Sequence, residues 1–157
     1  MFDRGDSNDW KDLLEEGKSY FSLVKQELAY KGKDVQEELK DQICQHSQSG
    51  VGYLLKAFLA FKNAEAGREQ ENFVHVLSLK YLKERAVKID KAFKDIEAVE
   101  LDYILSDERF YKSGRLDLRL PTLEDAKISS KILFKTCRLV CKKIEGKFDL
   151  SKKEMKE

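Results

Sequence analysis

The stretch from Ile43 to Phe61 is the most apolar segment of an otherwise very polar chain, and it constrains the fold more than any other. Its first half carries His46 among small residues, and its second half carries apolar side chains on nearly every side. A helix with two apolar faces must lie between other helices, because at the surface one of those faces would remain in water. The sequence therefore predicts a central helix, from about Val35 to Lys62, surrounded by others.

Two glycines interrupt the middle of this predicted helix. Gly50 and Gly52 each cost about 1 kcal/mol of helix stability relative to alanine. We therefore expect a second backbone to approach closely at these positions, either within the bundle or across a dimer. At the start of the helix, Asp34 followed three residues later by Glu37 predicts an acidic capping pattern.

The rest of the chain shows the same helical periodicity, and no stretch is typical of a strand. Apolar residues recur at three- and four-residue steps in several segments, and the last one opens with a Thr-x-x-Asp capping pattern. The further helices are predicted at residues 9–30, 73–84 and 87–105 and from Thr122 to Gly146. The predicted fold class is all-α, an up-down bundle of four to five helices.

Composition limits the functions that the whole chain can perform. The 157 residues predict a single domain over 1–157, with a core at about 9–146 and a charged tail at 147–157. Thirty basic and 29 acidic residues nearly cancel, so an anion site must be a local patch. The N-terminus has no signal-peptide pattern, and the run from Val51 to Phe61 is too short to span a bilayer. We expect a cytoplasmic protein without a membrane segment.

The cysteines and the central histidine favour structural roles. An odd set of three cysteines is typical of a reducing compartment. Cys137 and Cys141 share a helix face, but no second pair completes a metal site, so we expect buried thiols, no metal and no cofactor. His46 is predicted to be a core histidine satisfied by one hydrogen bond; the alternative is a polar group at a dimer or ligand groove.

Several short motifs occur in the order found in one known family. The segment His46-Ser47-Gln48-Ser49-Gly50-Val51 and the following Leu55-Lys56-Ala57-Phe58-Leu59 resemble the second helix of the HEPN family, which commonly reads His-Ala-Gln-Gln-Ala-Val. The chain departs from that pattern at Gly52-Tyr53, where the family has Glu-Lys. The other matching motifs are His75-Val76-Leu77, Tyr103 with Arg109-Phe110-Tyr111, and Asp125-Ala126.

This resemblance implies an all-α bundle, frequent homodimerisation and a role beside nucleotides or RNA. Many family members act with a nucleotidyltransferase-type partner protein in toxin–antitoxin pairs. Some are ribonucleases, marked by an arginine and a histidine four to six residues apart. Arg68 and His75, with six residues between them, fit that spacing, with histidine for proton transfer and arginine for phosphate charge. They lie outside the helix that carries the family's motif, so we favour a binding function over catalysis.

The long irregular stretch from Ser106 to Leu120 is the best local case for an anion site. It concentrates arginines, which fit phosphate with a planar fork, beside tyrosines, which can stack on a base. Three acidic residues partly neutralise it, so an internally paired, solvated loop is the alternative. The predicted anion-binding residues are Arg109, Tyr111, Arg115, His75 and Tyr103.

The hypothesis from the sequence is a nucleotide- or RNA-associated binding module that forms a homodimer and acts with a nucleotidyltransferase-type partner. The first alternative is a metal-independent endoribonuclease toxin that uses Arg68 or Arg109 with His75. The second is a structural homodimer or scaffold without a ligand.

Overall fold

A computed structural model describes residues 9–73, 75–106 and 121–146, with Lys33 described by its backbone alone. Within these ranges the chain forms five α-helices packed together and no strand, which confirms the all-α prediction. None of these helices is both long enough and apolar enough to cross a bilayer. The elements are α1 (Trp10–Ala29), α2 (Lys33–Glu65), α3 (Leu79–Ile89), a 3-10 helix (Lys91–Asp95), α4 (Ala98–Ile104) and α5 (Leu123–Glu145). The predicted tail at 147–157 lies outside the described residues.

The long helix α2 is the centre of the molecule. It packs mainly against α1 and α5 and also contacts α3 and α4. Every residue from Leu54 to Ala60 is buried, which a helix covered on only one side could not achieve. The prediction of a central helix with two apolar faces is therefore confirmed. Its 33 residues extend for about 50 Å.

The predicted acidic cap of α2 is wrong. The helix begins at Lys33, so Asp34 lies inside the first turn and no side chain caps the helix. The preceding residue is Gly32, whose φ of 109° is strained for a residue with a side chain. Only three residues separate α1 from α2, and this reversal requires the glycine at the position where the cap would stand. Asp34 still places its negative charge at the positive end of the helix.

The start of α3 also differs from the prediction, which placed a helix at 73–84. Ser78 is extended, and its hydroxyl accepts a hydrogen bond from the Tyr81 N–H at 3.2 Å. This cap starts the helix at Leu79, so Phe73 is buried as part of a non-helical connection. The capping hydroxyl, rather than the apolar spacing, decides the boundary.

The single helix predicted at 87–105 is wrong as well. Asp90 adopts an extended conformation and its carboxylate accepts a hydrogen bond from the Ala92 N–H at 2.9 Å. This competes with helix formation, so α3 ends, a 3-10 turn follows, and α4 starts afresh. The break changes the direction of several side chains: Ile89, Val99 and Tyr103, which one continuous helix over 87–105 would place on its apolar face, are exposed.

The two glycines of α2 have different surroundings. A Cβ atom on Gly50 would lie 2.6 Å from Leu133 Cδ1 and 2.9 Å from Tyr20 Cβ. Close packing at Gly50 is therefore real, but side chains of α5 and α1 approach there instead of the predicted backbone. A Cβ on Gly52 would only touch Leu79 Cδ2 at 3.4 Å, so the bundle itself does not approach closely at Gly52, and an approach across a dimer stays a prediction.

The last helix follows its sequence signals closely. The Thr122 N–H donates to the Asp125 carboxylate at 2.8 Å, and the Asp125 N–H donates to the Thr122 hydroxyl at 3.1 Å. This reciprocal capping box starts α5 as predicted. Gly146, with φ of 75°, ends the helix in the left-handed conformation.

Candidate functional site

A buried lysine on α2 is the least expected feature of the core. No aspartate or glutamate occurs between Asp41 and Glu65, so the second half of α2 has no negative charge before its last residue. Lys56 lies in the middle of this segment and is only 8% exposed. Burying an ammonium group is costly unless a counter-charge accompanies it.

The surroundings of Lys56 supply no such counter-charge. Its Nζ lies 5.6 Å from the centroid of the Tyr53 ring, and no hydrogen bond or ion pair joins it to another described residue. Burial alone lowers the pKa of Lys56. A cation–π contact contributes about 1–2 kcal/mol, which falls short of the desolvation cost of an unpaired ammonium.

Lys56 lines a cleft of about 320 Å³ between α2 and the segment that leads into α3. This volume is at the lower end of the range of small-molecule sites. One wall is mostly polar and the other is apolar. The α2 wall consists of Gln48, Ser49, Gly52, Tyr53 and Lys56, and the opposite wall consists of Val76, Leu77 and Leu79.

Helical spacing explains why the polar wall exists. Ser49, Tyr53 and Lys56 are four and three residues apart, so they project from one face of α2. The Tyr53 ring stacks against Tyr20 of α1, with centroids 5.8 Å apart and planes 12° apart, and this contact fixes its position. Gly52 carries no side chain into the cleft. The result is a fixed polar wall instead of a flexible one.

A second polar residue of the wall is held by a neighbouring carboxylate. The Gln48 amide nitrogen donates a hydrogen bond to the Asp102 carboxylate on α4 at 3.3 Å. Burial raises the pKa of Asp102. Because Gln48 takes part in this contact, α4 is connected to the cleft even though it contributes no residue to the walls.

Searches against protein-family models, curated proteins and solved structures find no match to this chain. The HEPN resemblance therefore stays a prediction that depends on its motifs.

Two of the predicted anion-binding residues are sequence neighbours of groups at or beside this cleft, and neither of them lines it. His75 is exposed and directly precedes Val76 of the apolar wall. Tyr103 is 37% exposed and directly follows Asp102, the partner of Gln48. The remaining three, Arg109, Tyr111 and Arg115, lie in residues 107–120, outside the described part of the chain.

The candidate catalytic pair shows no arrangement for proton transfer. Arg68 and His75 are both exposed, and no hydrogen bond joins their side chains. The backbone N–H of Arg68 donates to the Asn63 carbonyl at 2.8 Å, which ends α2 in a tight turn. These positions favour a structural role for the Arg68 segment.

His46 is half-exposed instead of lying in the core as predicted, but it does make a hydrogen bond to a buried group. Its Nδ1 lies 2.9 Å from a carboxylate oxygen of Glu27 on α1, and Glu27 is only 5% exposed. The centroids of the His46 and Tyr20 rings are 5.9 Å apart, and Tyr20 is the ring that stacks on Tyr53. One hydrogen bond thus satisfies the histidine, as predicted, and gives the buried carboxylate a partner.

The two cysteines of α5 are buried, as predicted. Their Sγ atoms are 3.9 Å apart, and the contact with Cys141 together with burial raises the pKa of Cys137. A thiol kept protonated is a poor nucleophile and a poor metal ligand. Within the described ranges, no three His, Cys, Asp or Glu side chains are placed to hold a metal ion.

The sequence interpretation overlooked Lys56, although a signal for it was present. The lysine interrupts a run of apolar residues from Val51 to Phe61 that was expected to be buried on all sides. Where every face of a helix is covered by other residues, a charged side chain cannot be directed into water. A lysine inside a fully apolar helical segment therefore predicts a buried cation.

Proposed function

We propose that this chain is a binding module for a phosphate-bearing ligand, a nucleotide or RNA, and that Lys56 contacts the phosphate in the cleft. The observation that carries the proposal is the exposure of Lys56, 8%, without a carboxylate partner among the described residues. A bound anion would supply the missing counter-charge. Binding would then stabilise the folded chain by an amount set by the ligand concentration relative to its Kd.

The rest of the cleft suits such a ligand. Lysine binds phosphate as a point charge, and the Gln48 amide and Ser49 hydroxyl add hydrogen-bonding groups on the same wall. The apolar wall of Val76, Leu77 and Leu79 offers a surface for a base or another planar group. Leu77 is 84% exposed in the free chain, so a ligand that covers it gains apolar burial.

Calorimetric titration tests the proposal directly. The probes are inorganic phosphate, AMP, ATP and a short single-stranded RNA, and the variant is Lys56→Met, which keeps the apolar stem and removes the charge. We expect binding by the wild type and affinity at least about tenfold weaker in the variant, because a hydrogen bond to a charged group contributes about 1.5–3 kcal/mol.

A matched control is present on the same helix. Lys40→Met makes the same change at a lysine that is 7% exposed but lies outside the cleft, so it should bind the ligand like the wild type. Equal affinities for Lys56→Met and wild type, or no binding by the wild type to any probe, contradict the proposal. Arg109→Ala in the same titration shows whether the predicted loop contributes to the site.

The homodimer, the nucleotidyltransferase-type partner and the ribonuclease activity stay predictions of the family resemblance. The cleft supports the binding hypothesis instead of the ribonuclease alternative, because Lys56 contributes charge but the cleft walls include no histidine.

A further inference from the structure

The last helix separates charge in a way that the net charge of the chain conceals. Residues 126–144 contain six basic residues and no acidic one. The rest of the chain contains 24 basic and 29 acidic residues. A solvated helix surface normally interleaves opposite charges one turn apart, where they stabilise the helix. This segment of α5 omits those pairs.

Five of the six basic residues form one exposed stripe along α5. At 100° per residue they fall within an arc of about 80°, and the stripe is about 22 Å long. We call it the α5 ridge; it consists of Lys127, Lys131, Lys135, Arg138 and Lys142, all of them exposed. The sixth, Lys143, lies off the ridge and pairs with Asp90 at 2.8 Å. Like charges about 6 Å apart repel one another, so the basic residues of the ridge do not stabilise the helix that carries them.

The surroundings of the ridge are partly apolar and partly acidic. Along one side runs a groove of about 730 Å³, in which Phe134 and Leu139 are half-buried. The Phe134 ring packs edge-on against Phe21 at 4.8 Å, so it belongs to the core more than to the groove. Asp95 and Glu97 lie at the edge near Lys131 and Lys135 and offset part of the charge there.

Lys135 connects the ridge to the rest of the fold. Its Nζ donates a hydrogen bond to the backbone carbonyl of Asp95 at 2.7 Å, which ties the 3-10 helix to α5. The remaining lysines make no such contact: Lys131 and Lys142 have neither a hydrogen bond nor an ion pair with a described residue. Their ammonium groups are therefore available to an outside partner.

We propose that the α5 ridge binds the phosphate backbone of a nucleic acid. Evenly spaced, exposed cations on a rigid helix match a partner whose negative charges are themselves regularly spaced. An acidic amphipathic peptide fits less well, because the large apolar side chains beside the cations, Phe134 and Leu139, are half-buried and Phe134 is already packed against Phe21. The ridge shares no residue with the Lys56 cleft and does not depend on the function proposed for it.

Fluorescence anisotropy with a labelled 20-base-pair DNA duplex tests the ridge, measured between 50 and 200 mM salt. The variant is Lys131→Gln with Lys142→Gln, and the control is Lys80→Gln with Lys88→Gln, two exposed lysines of α3 with the same total charge change. We expect weaker binding by the ridge variant and a slope of log affinity against log salt smaller by about 2, because two phosphate contacts are lost. The control should match the wild type.

Three results would overturn the inference. The first is no binding by the wild type, and the second is the same loss in the control, which would indicate net charge alone. The third is tighter binding of a polyglutamate peptide of equal length, which would assign the ridge to an acidic protein. Lys56→Met should bind the duplex like the wild type, so failure of the cleft proposal and failure of the ridge proposal remain distinguishable.

Discussion

Two lysines of α2, Lys40 and Lys56, are matched in burial and opposite in surroundings. They are 7% and 8% exposed and lie 16 residues apart on the same helix. Lys40 forms an ion pair with Glu37, one turn earlier. Lys56 has no carboxylate within its acid-free segment, and among the described residues its ammonium group contacts the face of the Tyr53 ring without an ion pair. The first half of α2 thus neutralises its buried charge internally, and the second half does not.

This difference shows that burial alone does not reveal the role of a charged side chain. In an ion pair the two charges offset each other within the folded chain, so neither requires a partner from outside. A buried cation without a partner keeps an uncompensated charge, and a bound anion would neutralise it. Glu27 and Lys56 show the same contrast: the buried carboxylate of Glu27 has a hydrogen-bond partner in His46, whereas Lys56 has no ion-pair partner among the described residues.

The largest change in the free energy of unfolding is expected where the buried carboxylate of Glu27 loses its partner, His46. His46→Leu removes the partner of Glu27, whose carboxylate is 5% exposed, so the free energy of unfolding should fall by about 2–3 kcal/mol. Urea unfolding measures it. Adding Glu27→Leu to His46→Leu should recover most of the loss, because two packed apolar side chains replace the pair. An unchanged free energy of unfolding in His46→Leu would show that the contact between Glu27 and His46 does not stabilise the fold.

An intermediate effect should distinguish the tight and open faces of α2. Gly50→Ala forces a methyl group to within 3 Å of Leu133 and Tyr20, and we expect a net loss of about 1–2 kcal/mol after the gain in helix propensity. Gly52→Ala has room beside Leu79 and should be neutral or stabilise by up to about 1 kcal/mol. Thermal unfolding of both variants checks this, and equal shifts would mean that the two faces pack alike.

The smallest effect concerns the pH dependence of stability. Because burial lowers the pKa of Lys56, the folded chain holds this proton less tightly than the unfolded chain does. The stability of the wild type should therefore rise, relative to Lys56→Met, as pH increases through the lowered pKa towards the ordinary lysine value of 10.5. Other groups titrate in both proteins and cancel in the difference. Urea unfolding at pH 8, 9 and 10 measures it; parallel curves would indicate that Lys56 is solvated.

The sequence predicted those features that are encoded locally. The caps of α5 depend on residues close together in sequence, Thr122 with Asp125 at one end and Gly146 at the other. Both ends of the helix could therefore be predicted from short local motifs. The burial of α2 followed from apolar side chains on all its sides. Where capping and periodicity conflicted, at Ser78 and Asp90, the side chain that bonds the backbone prevailed, and the predicted helices at 73–84 and 87–105 were misplaced.

The candidate site could be predicted only in part. His75 and Tyr103 flank groups at or beside the cleft, but nothing in the order of residues places Val76 opposite Lys56. That arrangement depends on how the connection before α3 folds back over α2, which is a tertiary property. The interruption of the apolar run at Lys56 could have indicated a buried cation but was overlooked, and its lack of a carboxylate partner among the described residues is visible only from its neighbours in space.

The composition of α5 gives this nearly neutral chain an electric dipole. One helix carries an excess of six positive charges over residues 126–144, and acidic residues exceed basic ones in the remainder. A molecule with separated charge turns in the field of a charged surface before it makes contact, so approach is oriented even when the total charge is close to zero. On an ion-exchange matrix such a chain behaves according to the side that it presents, and retention on a cation exchanger at low salt would report the basic side alone.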